Sequence, residues 1–115
     1  MEKIIEILHH QDLEDAMETS TTKPILLFKH STSCPNSARA FKQYQLFLDN
    51  LDEEEIGGYL VKIQKTRVVS NQIEADTGVK HESPQIFLFK DRKVLWHTSH
   101  SKIKVNTIEE ALINL

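Results

Sequence analysis

Short apolar runs that suit β-strands alternate with segments of helical periodicity along this chain. The clearest strand is residues 24–29 (PILLFK), a compact apolar run typical of a central strand covered on both faces. Beyond it, Phe41, Tyr44, Leu48 and Leu51 recur at the spacing of one helix face. Because parallel strands need helical crossovers, this alternation predicts an α/β fold, with a mixed central β-sheet and helices on both faces.

The other elements are predicted from the same patterns. We predict strands at residues 3–8, 24–29, 59–63, 85–89 and 93–98, and helices at 12–19, 35–49, 68–77 and 107–115. The short gap between the last two strands predicts an antiparallel hairpin at one side of the sheet. The Gly57-Gly58 pair is expected to break the chain, and Gly78 to end the third helix in a left-handed conformation. Asn106 or Thr107 can cap the first turn of the last helix.

Length and composition restrict the classes of function. A chain of 115 residues predicts a single domain over residues 1–115. The net charge is -3 and the sequence has no basic stripe, so nucleic acid is not an expected partner. The amino terminus lacks the pattern of a secretory signal, and no apolar run exceeds four residues, so no membrane span is expected. These features predict a cytoplasmic protein.

The only cysteine, Cys34, follows the predicted central strand and lies at the first turn of the next helix. With no second thiol it is either a buried small hydrophobe or a thiol that reacts with another molecule. Residues 31–33 and Asn36 are polar and indicate an accessible loop, and a helix amino terminus favours a thiolate. Pro35 suits a first helical turn. Ser37 lies one turn further on, where its hydroxyl could bind the sulfur but cannot form a disulfide.

Ser83-Pro84 precedes the strand at residues 85–89. A proline is tolerated at the first residue of a strand, and this explains the position without any special geometry. The alternative is a cis peptide bond, which is uncommon even before proline. The residues alone leave both open.

Six histidines raise the question of a metal site. Cys34, His30 and either His97 or His100 could approach a zinc set, but paired ligand motifs of structural-zinc spacing are absent, so no metal is expected. His30 and His100 either make ordinary loop hydrogen bonds or lie near Cys34 and favour its thiolate when protonated. His97 is expected to be an ordinary strand residue, and Trp96 a core residue.

Three segments together resemble a known family: FKHSTSCPNS at 28–37, HESPQ at 81–85 and WHTSH at 96–100. Their order and separation resemble a thioredoxin-like protein and, more closely, the monothiol bacilliredoxin family, the YtxJ-like branch of the thioredoxin superfamily. Asn36 departs from this pattern, because an apolar residue is usual there. The departure concerns the local contact with substrate and leaves the nucleophile unaffected.

The resemblance implies a thiol–disulfide oxidoreductase that removes bacillithiol from S-bacillithiolated cytosolic proteins through a mixed disulfide on Cys34. It also implies that Ser83-Pro84 is cis and faces the cysteine, with the Ser83 backbone offered to the bound disulfide. Because Ser37 replaces a second thiol, the resolving thiol must come from free bacillithiol or an external dithiol reductant. Bacillithiol would be a co-substrate, and no bound cofactor is expected.

Two other classes of function stay open at this point. One is a thiol-dependent iron–sulfur carrier of the monothiol glutaredoxin type, although Pro35 and Asn36 do not match the CGFS pattern of those proteins. The other is a non-catalytic module of thioredoxin fold that uses the Ser83-Pro84 surface as a peptide clamp. A brown protein that loses its colour on chelation would favour the first, and an inert Cys34 the second.

Overall fold

The computed structural model describes residues 4–51 and 55–115. Its strands are β1 (Ile4–Glu6), β2 (Ile25–His30), β3 (Gly57–Lys62), β4 (Gln85–Lys90) and β5 (Lys93–Ser99), and its helices are α1 (His10–Thr19), α2 (Pro35–Asp49), α3 (Arg67–Thr77) and α4 (Val105–Ile113). A short 3₁₀ helix, His100–Lys102, joins β5 to α4. The predicted order of strands and helices is confirmed. The predicted start of the first strand at Lys3 lies outside the described residues.

The five strands form one sheet in the order β1-β3-β2-β4-β5. The pairs β1–β3 and β3–β2 are parallel, whereas β4 is antiparallel to β2 and β5 is antiparallel to β4. Lys90 pairs with Lys93, so the hairpin turn consists of Asp91 and Arg92, whose φ angles are +52° and +66°. Positive φ at both positions is what a tight two-residue hairpin needs. The mixed sheet and the terminal hairpin are therefore confirmed.

Apolar side chains cover both faces of the sheet and form two cores. One core joins the sheet to α1 and α3 through Leu13, Ala16, Val69 and Ile73, and the other joins it to α2 and α4 through Ala40, Tyr44, Phe47, Leu48 and Ile108. On the predicted α2 stripe, Tyr44 and Leu48 are buried, and Phe41 and Leu51 are half-buried. Trp96 packs partly buried against the second core, as expected.

Gly57 and Gly58 do not break the chain, which corrects the prediction. They are the first two residues of β3, and Gly57 lies beside Ile25 of β2. A Cβ atom at position 57 would come within 3.1 Å of Cγ2 of Ile25. Glycine at this position allows a close approach of two strands rather than a turn. Gly78 has φ +72° at the end of α3, as predicted.

Several predicted boundaries also need correction. The first strand ends at Glu6, and α1 begins at His10, two residues before its predicted start. The last helix runs from Val105 to Ile113, so neither Asn106 nor Thr107 is its N-cap. Thr107 instead lies in the first turn, where its Oγ1 accepts a hydrogen bond of 3.1 Å from the backbone N–H of Lys104. Within residues 4–51 and 55–115, no helix combines the length and apolar character needed to cross a bilayer.

Candidate functional site

Cys34 is the N-cap residue of α2, four residues beyond the end of β2. Its carbonyl accepts the N–H of Ala38 at 3.1 Å, and its own N–H donates to the carbonyl of Ser31 at 3.2 Å. The cysteine is free and half-buried, and Pro35 is the first helical residue, as predicted. The side chain makes no capping hydrogen bond. Cys34 is thus partly exposed at the amino-terminal end of a 15-residue helix, where the helix dipole stabilises negative charge.

Ser37 is fully buried and bonds away from the sulfur. Its Oγ lies 2.7 Å from Nδ1 of His30 and accepts the backbone N–H of Ser31 at 2.9 Å. Among the described residues, Ser37 makes no hydrogen bond to Cys34. The expectation that this hydroxyl could bind the sulfur is therefore wrong, because its bonds connect the start of α2 to the end of β2.

His30 is buried at the end of β2, under the start of α2. Its ring stacks on Phe41 at a centroid distance of 4.8 Å. Burial, and secondarily the nearby charge of Lys62, lower the pKa of His30. The lowered pKa favours a neutral ring at pH 7, which disagrees with a protonated His30 that would favour the thiolate. The structure instead assigns His30 the position of a hydrogen-bond partner for Ser37.

The Ser83-Pro84 peptide bond is cis, as the resemblance implies. Lys29, next to the last residue of β2, pairs with Gln85, the first residue of β4. Cys34 follows the end of β2 and Pro84 precedes the start of β4, so both lie at the same edge of the sheet. Pro84 is buried, and its carbonyl accepts the N–H of His100 at 3.0 Å. The Ser83 hydroxyl is also buried and has no hydrogen-bond partner among the described residues.

Polar contacts fix the proline loop, which we define as residues 80–84. Buried Gln85 donates its side-chain N–H to the carbonyl of Lys80 at 3.0 Å and accepts the N–H of Glu82 at 3.3 Å. The Glu82 carboxylate accepts the Ser99 hydroxyl at 2.8 Å and lies 3.4 Å from Nε2 of His100. The Ser99 bond is the main reason why the pKa of Glu82 is lowered. The sequence motifs did not identify Gln85 or Glu82 as supports of this loop.

His100 is the first residue of the 3₁₀ helix and lies beside the proline loop. Its side chain pairs with Glu82, and its carbonyl accepts a guanidinium N–H of Arg39 from α2 at 3.0 Å. His100 therefore connects the proline loop to the helix that begins beside Cys34. Its predicted effect on the thiolate stays a prediction. His97 lies on β5, as expected.

Lys29 is a buried cation that the motifs did not single out. Its side chain is fully buried, and Nζ lies 3.2 Å from the carbonyl of Ser70 and 3.3 Å from Nδ1 of His81. Burial lowers the pKa of Lys29 from 10.5 to about 8. Burial and the charge of Lys29 lower the pKa of the His81 ring. The backbone N–H of His81 donates to the Glu74 carboxylate at 2.8 Å. The sequence did contain a sign of this contact. Lys29 stands in the apolar run predicted as the central strand, and a charged side chain buried in such a strand needs polar partners.

Gln64, between β3 and α3, was also missed. Its side-chain amide contacts the cysteine loop, which we define as residues 31–34. Nothing in its sequence context, VKIQKTR, indicates this contact, since an exposed glutamine in a connection has no motif. Among residues 4–51 and 55–115, the structure contains no cluster of three or more His, Cys, Asp or Glu side chains that could hold a metal ion.

Known proteins are similar to nearly all of this chain. Residues 5–108 match the family model described as Monothiol bacilliredoxin BrxC. A solved structure described as a candidate oxidoreductase with a thioredoxin fold is 34% identical, with a TM-score of 0.86 over 96% of this chain and 94% of that chain.

More distant solved structures show the fold alone. The thioredoxin of Fasciola hepatica is 13% identical, with a TM-score of 0.76 over 96% of this chain and 97% of that one. The thioredoxin of Malassezia sympodialis is 14% identical, with a TM-score of 0.75 over 96% and 89%. This chain therefore has the thioredoxin fold of a redox enzyme and belongs to the monothiol bacilliredoxin family.

Proposed function

We propose that this protein removes bacillithiol from S-bacillithiolated proteins as a monothiol thiol–disulfide oxidoreductase. The observation that carries the proposal is the position of its only cysteine, accessible at the N-cap of α2 and at the same sheet edge as the cis Ser83-Pro84 bond. Membership of the monothiol bacilliredoxin family supports bacillithiol as the thiol that is transferred.

In the first step, the Cys34 thiolate attacks the bacillithiol sulfur of a mixed disulfide on a client protein. The new sulfur–sulfur bond joins Cys34 to bacillithiol, and the old bond breaks with its electron pair on the client sulfur. The client leaves as a thiolate and takes up a proton from solvent. The Ser83 backbone, which adjoins the cis proline, is the group we propose to align the three sulfur atoms for in-line exchange.

In the second step, an external thiolate attacks the bacillithiol sulfur and releases Cys34. If free bacillithiol attacks, the new sulfur–sulfur bond makes bacillithiol disulfide, and the bond to Cys34 breaks with its electron pair on the Cys34 sulfur, which returns as a thiolate. A dithiol reductant would act in the same way and then close its own disulfide. Ser37 cannot resolve the adduct, since its hydroxyl carries no sulfur and bonds to His30 and Ser31. The adduct should therefore persist until a second thiol arrives.

The proposed partners follow from this cycle. They are bacillithiolated client proteins together with bacillithiol or an external dithiol reductant, with bacillithiol as co-substrate and no resident cofactor. We also propose a cytoplasmic location, because this chemistry requires a compartment in which thiols are kept reduced.

The test uses a purified client carrying one bacillithiol and an excess of the full-length protein. The wild type should release the client and gain the mass of one bacillithiol on Cys34, and the adduct should disappear when an external thiol is added. Cys34→Ala should release no client, since the chain has no other thiol. Client release by Cys34→Ala would contradict the mechanism. A wild type that reacts only with glutathione mixed disulfides would leave the exchange chemistry standing and overturn the assignment of bacillithiol.

A further inference from the structure

Among the described residues, most of the hydrogen bonds between the cysteine loop and the rest of the protein come from one side chain. Thr32 and Ser33 are exposed, and the residues that follow β2 have left the sheet. Gln64 contacts three successive residues of this loop: Oε1 accepts the Thr32 N–H at 3.1 Å, and Nε2 donates to the hydroxyls of Ser31 at 2.9 Å and Ser33 at 3.1 Å. The oxygen and the nitrogen of the Gln64 amide therefore both bond to the three residues that precede Cys34.

The backbone around Gln64 explains how its side chain reaches the loop. Ile63 donates its N–H to the carbonyl of His30 at 2.9 Å, which extends the pairing of β2 and β3 by one bond. The chain then turns back, and Lys65 donates its N–H to the carbonyl of Lys62 at 3.0 Å. Gln64 lies at this turn, beside the cysteine loop. It is exposed, so replacing its side chain removes no core packing.

We propose that Gln64 is a positioning residue for thiol–disulfide exchange at Cys34, an inference that rests on the proposed function. Its amide fixes the Thr32 backbone and the hydroxyls of Ser31 and Ser33, and this sets the direction from which the Cys34 sulfur meets a disulfide. Sulfur exchange requires three sulfur atoms in line, so a loop that samples other conformations loses rate even when the thiol itself is intact. Gln64 does not touch the sulfur and acts through the loop.

Gln64→Leu removes both ends of the amide at nearly constant size, and Gln11→Leu is the matched control. Gln11 is also exposed, and its one side-chain hydrogen bond within the described part of the chain is to Asp15 of the same helix at 2.9 Å. With the bacillithiolated client, Gln64→Leu should lower the maximal rate of client release about tenfold and leave the half-saturating client concentration unchanged. Gln11→Leu should match the wild type in both. The melting temperatures of the two variants should agree, as expected for exposed positions.

A second substrate separates this inference from the proposed function. 2-Hydroxyethyl disulfide needs no recognition of bacillithiol: Cys34 gains one mercaptoethanol group and one mercaptoethanol is released. Gln64→Leu should form this adduct about tenfold more slowly than the wild type by intact mass, even if no bacillithiolated client reacts. Equal rates for Gln64→Leu and wild type on this probe would overturn the positioning role. So would an equal loss of rate in Gln11→Leu.

Ser33→Ala keeps the test informative if Gln64→Leu folds poorly, because it removes one acceptor of the Gln64 amide on an exposed residue. It should slow adduct formation by about threefold in the wild type and by no further amount in Gln64→Leu, since the shared contact is already lost. Full additivity of the two effects, or no effect of Ser33→Ala in the wild type, would contradict the proposal.

Discussion

At the scale of single residues, polar side chains organise the site through contacts that the motifs did not indicate. Ser37 holds the position one turn beyond Cys34, yet its hydroxyl bonds to His30 and the Ser31 backbone. Lys29 of β2 is fully buried, and its amine has Ser70 of α3 and His81 as polar partners. These residues stabilise the segments on either side of the thiol rather than the sulfur itself.

Ser37→Ala should therefore affect stability more than reactivity. The change leaves the Ser31 N–H and Nδ1 of His30 without their partner, and an unsatisfied buried group costs about 1–3 kcal/mol. We expect a loss of unfolding free energy in that range by urea denaturation, while client release falls by no more than about tenfold. A variant as stable as the wild type that has lost client release would indicate a direct role for the hydroxyl.

The buried charge of Lys29 should make stability depend on pH. Its pKa is about 8 in the folded protein against 10.5 for an ordinary lysine, so between these values the unfolded chain holds the proton more tightly. The contribution of Lys29 to unfolding free energy therefore rises as pH rises from 8 to 10.5, and the cost of burying its charge is fully present below pH 8. Each pKa unit corresponds to about 1.4 kcal/mol, and relaxation of the structure around the buried charge reduces the change to roughly 2 kcal/mol.

Lys29→Met provides the comparison because it keeps the length of the side chain and removes the charge. Denaturant unfolding of both proteins should show the wild type gaining roughly 2 kcal/mol on the variant between pH 7 and pH 10.5. The titration of groups that do not interact with Lys29 cancels in this difference. A difference that stays constant with pH would show that Lys29 keeps its ordinary pKa in the fold.

At the scale of the elements, α2 is connected to the sheet by a buried hydroxyl as well as by apolar packing. The Tyr44 hydroxyl accepts the N–H of Tyr59 at 2.9 Å and lies 2.9 Å from the carbonyl of Tyr59 and 3.2 Å from that of Leu26. One side chain thus bridges β2 and β3 from the helix that begins beside Cys34. Burial raises the pKa of Tyr44, so this hydroxyl keeps its proton at any ordinary pH.

Tyr44→Phe should lower the unfolding free energy by about 1–3 kcal/mol, because the Tyr59 N–H loses a buried acceptor. Tyr59→Phe is the matched control. Tyr59 is also buried, but its hydroxyl makes no hydrogen bond to the described residues. Chemical denaturation of the two variants should show the larger loss for Tyr44→Phe. Equal losses would mean that the bridge does not stabilise the fold.

Periodicity was sufficient to predict the elements, because short apolar runs indicate the strands and apolar residues at helical spacing indicate the helices. Boundaries were less predictable: Gly57 and Gly58 look like a chain break, and only the adjacent Ile25 shows why glycine is needed within a strand. The thiol and the cis proline were identified from local patterns together with a resemblance. Gln64 was not, because its contacts cross to residues about 30 positions earlier in the chain, and no local pattern encodes them.

At the scale of the whole molecule, no covalent cross-link contributes to the fold, because the chain has one cysteine. The two cores on opposite faces of the sheet provide the stability. Cys34 itself is half-buried in a loop, outside both cores. We therefore expect the redox state of Cys34 to leave the folding stability of this protein unchanged.

The melting temperature of the wild type should therefore be the same with and without a phosphine reductant, and Cys34→Ala should melt within about 2 °C of it. Ser37→Cys provides the contrast, since it would place a second thiol at C-x-x-C spacing and should make the melting temperature depend on reductant. Mass spectrometry should first confirm that no disulfide-linked dimer is present. A reductant-dependent melting temperature in monomeric wild type would contradict this expectation.

The central place of β2 has a mechanical consequence for the proposed covalent intermediate. All six residues of β2 are buried, and the strand pairs with β3 on one side and β4 on the other. Its amide protons should therefore exchange with solvent only when the whole domain opens. While the Cys34–bacillithiol adduct waits for a second thiol, any movement of the bound group acts on β2 through residues 31–33 alone, so the loop can move without displacing a strand that is bonded on both sides.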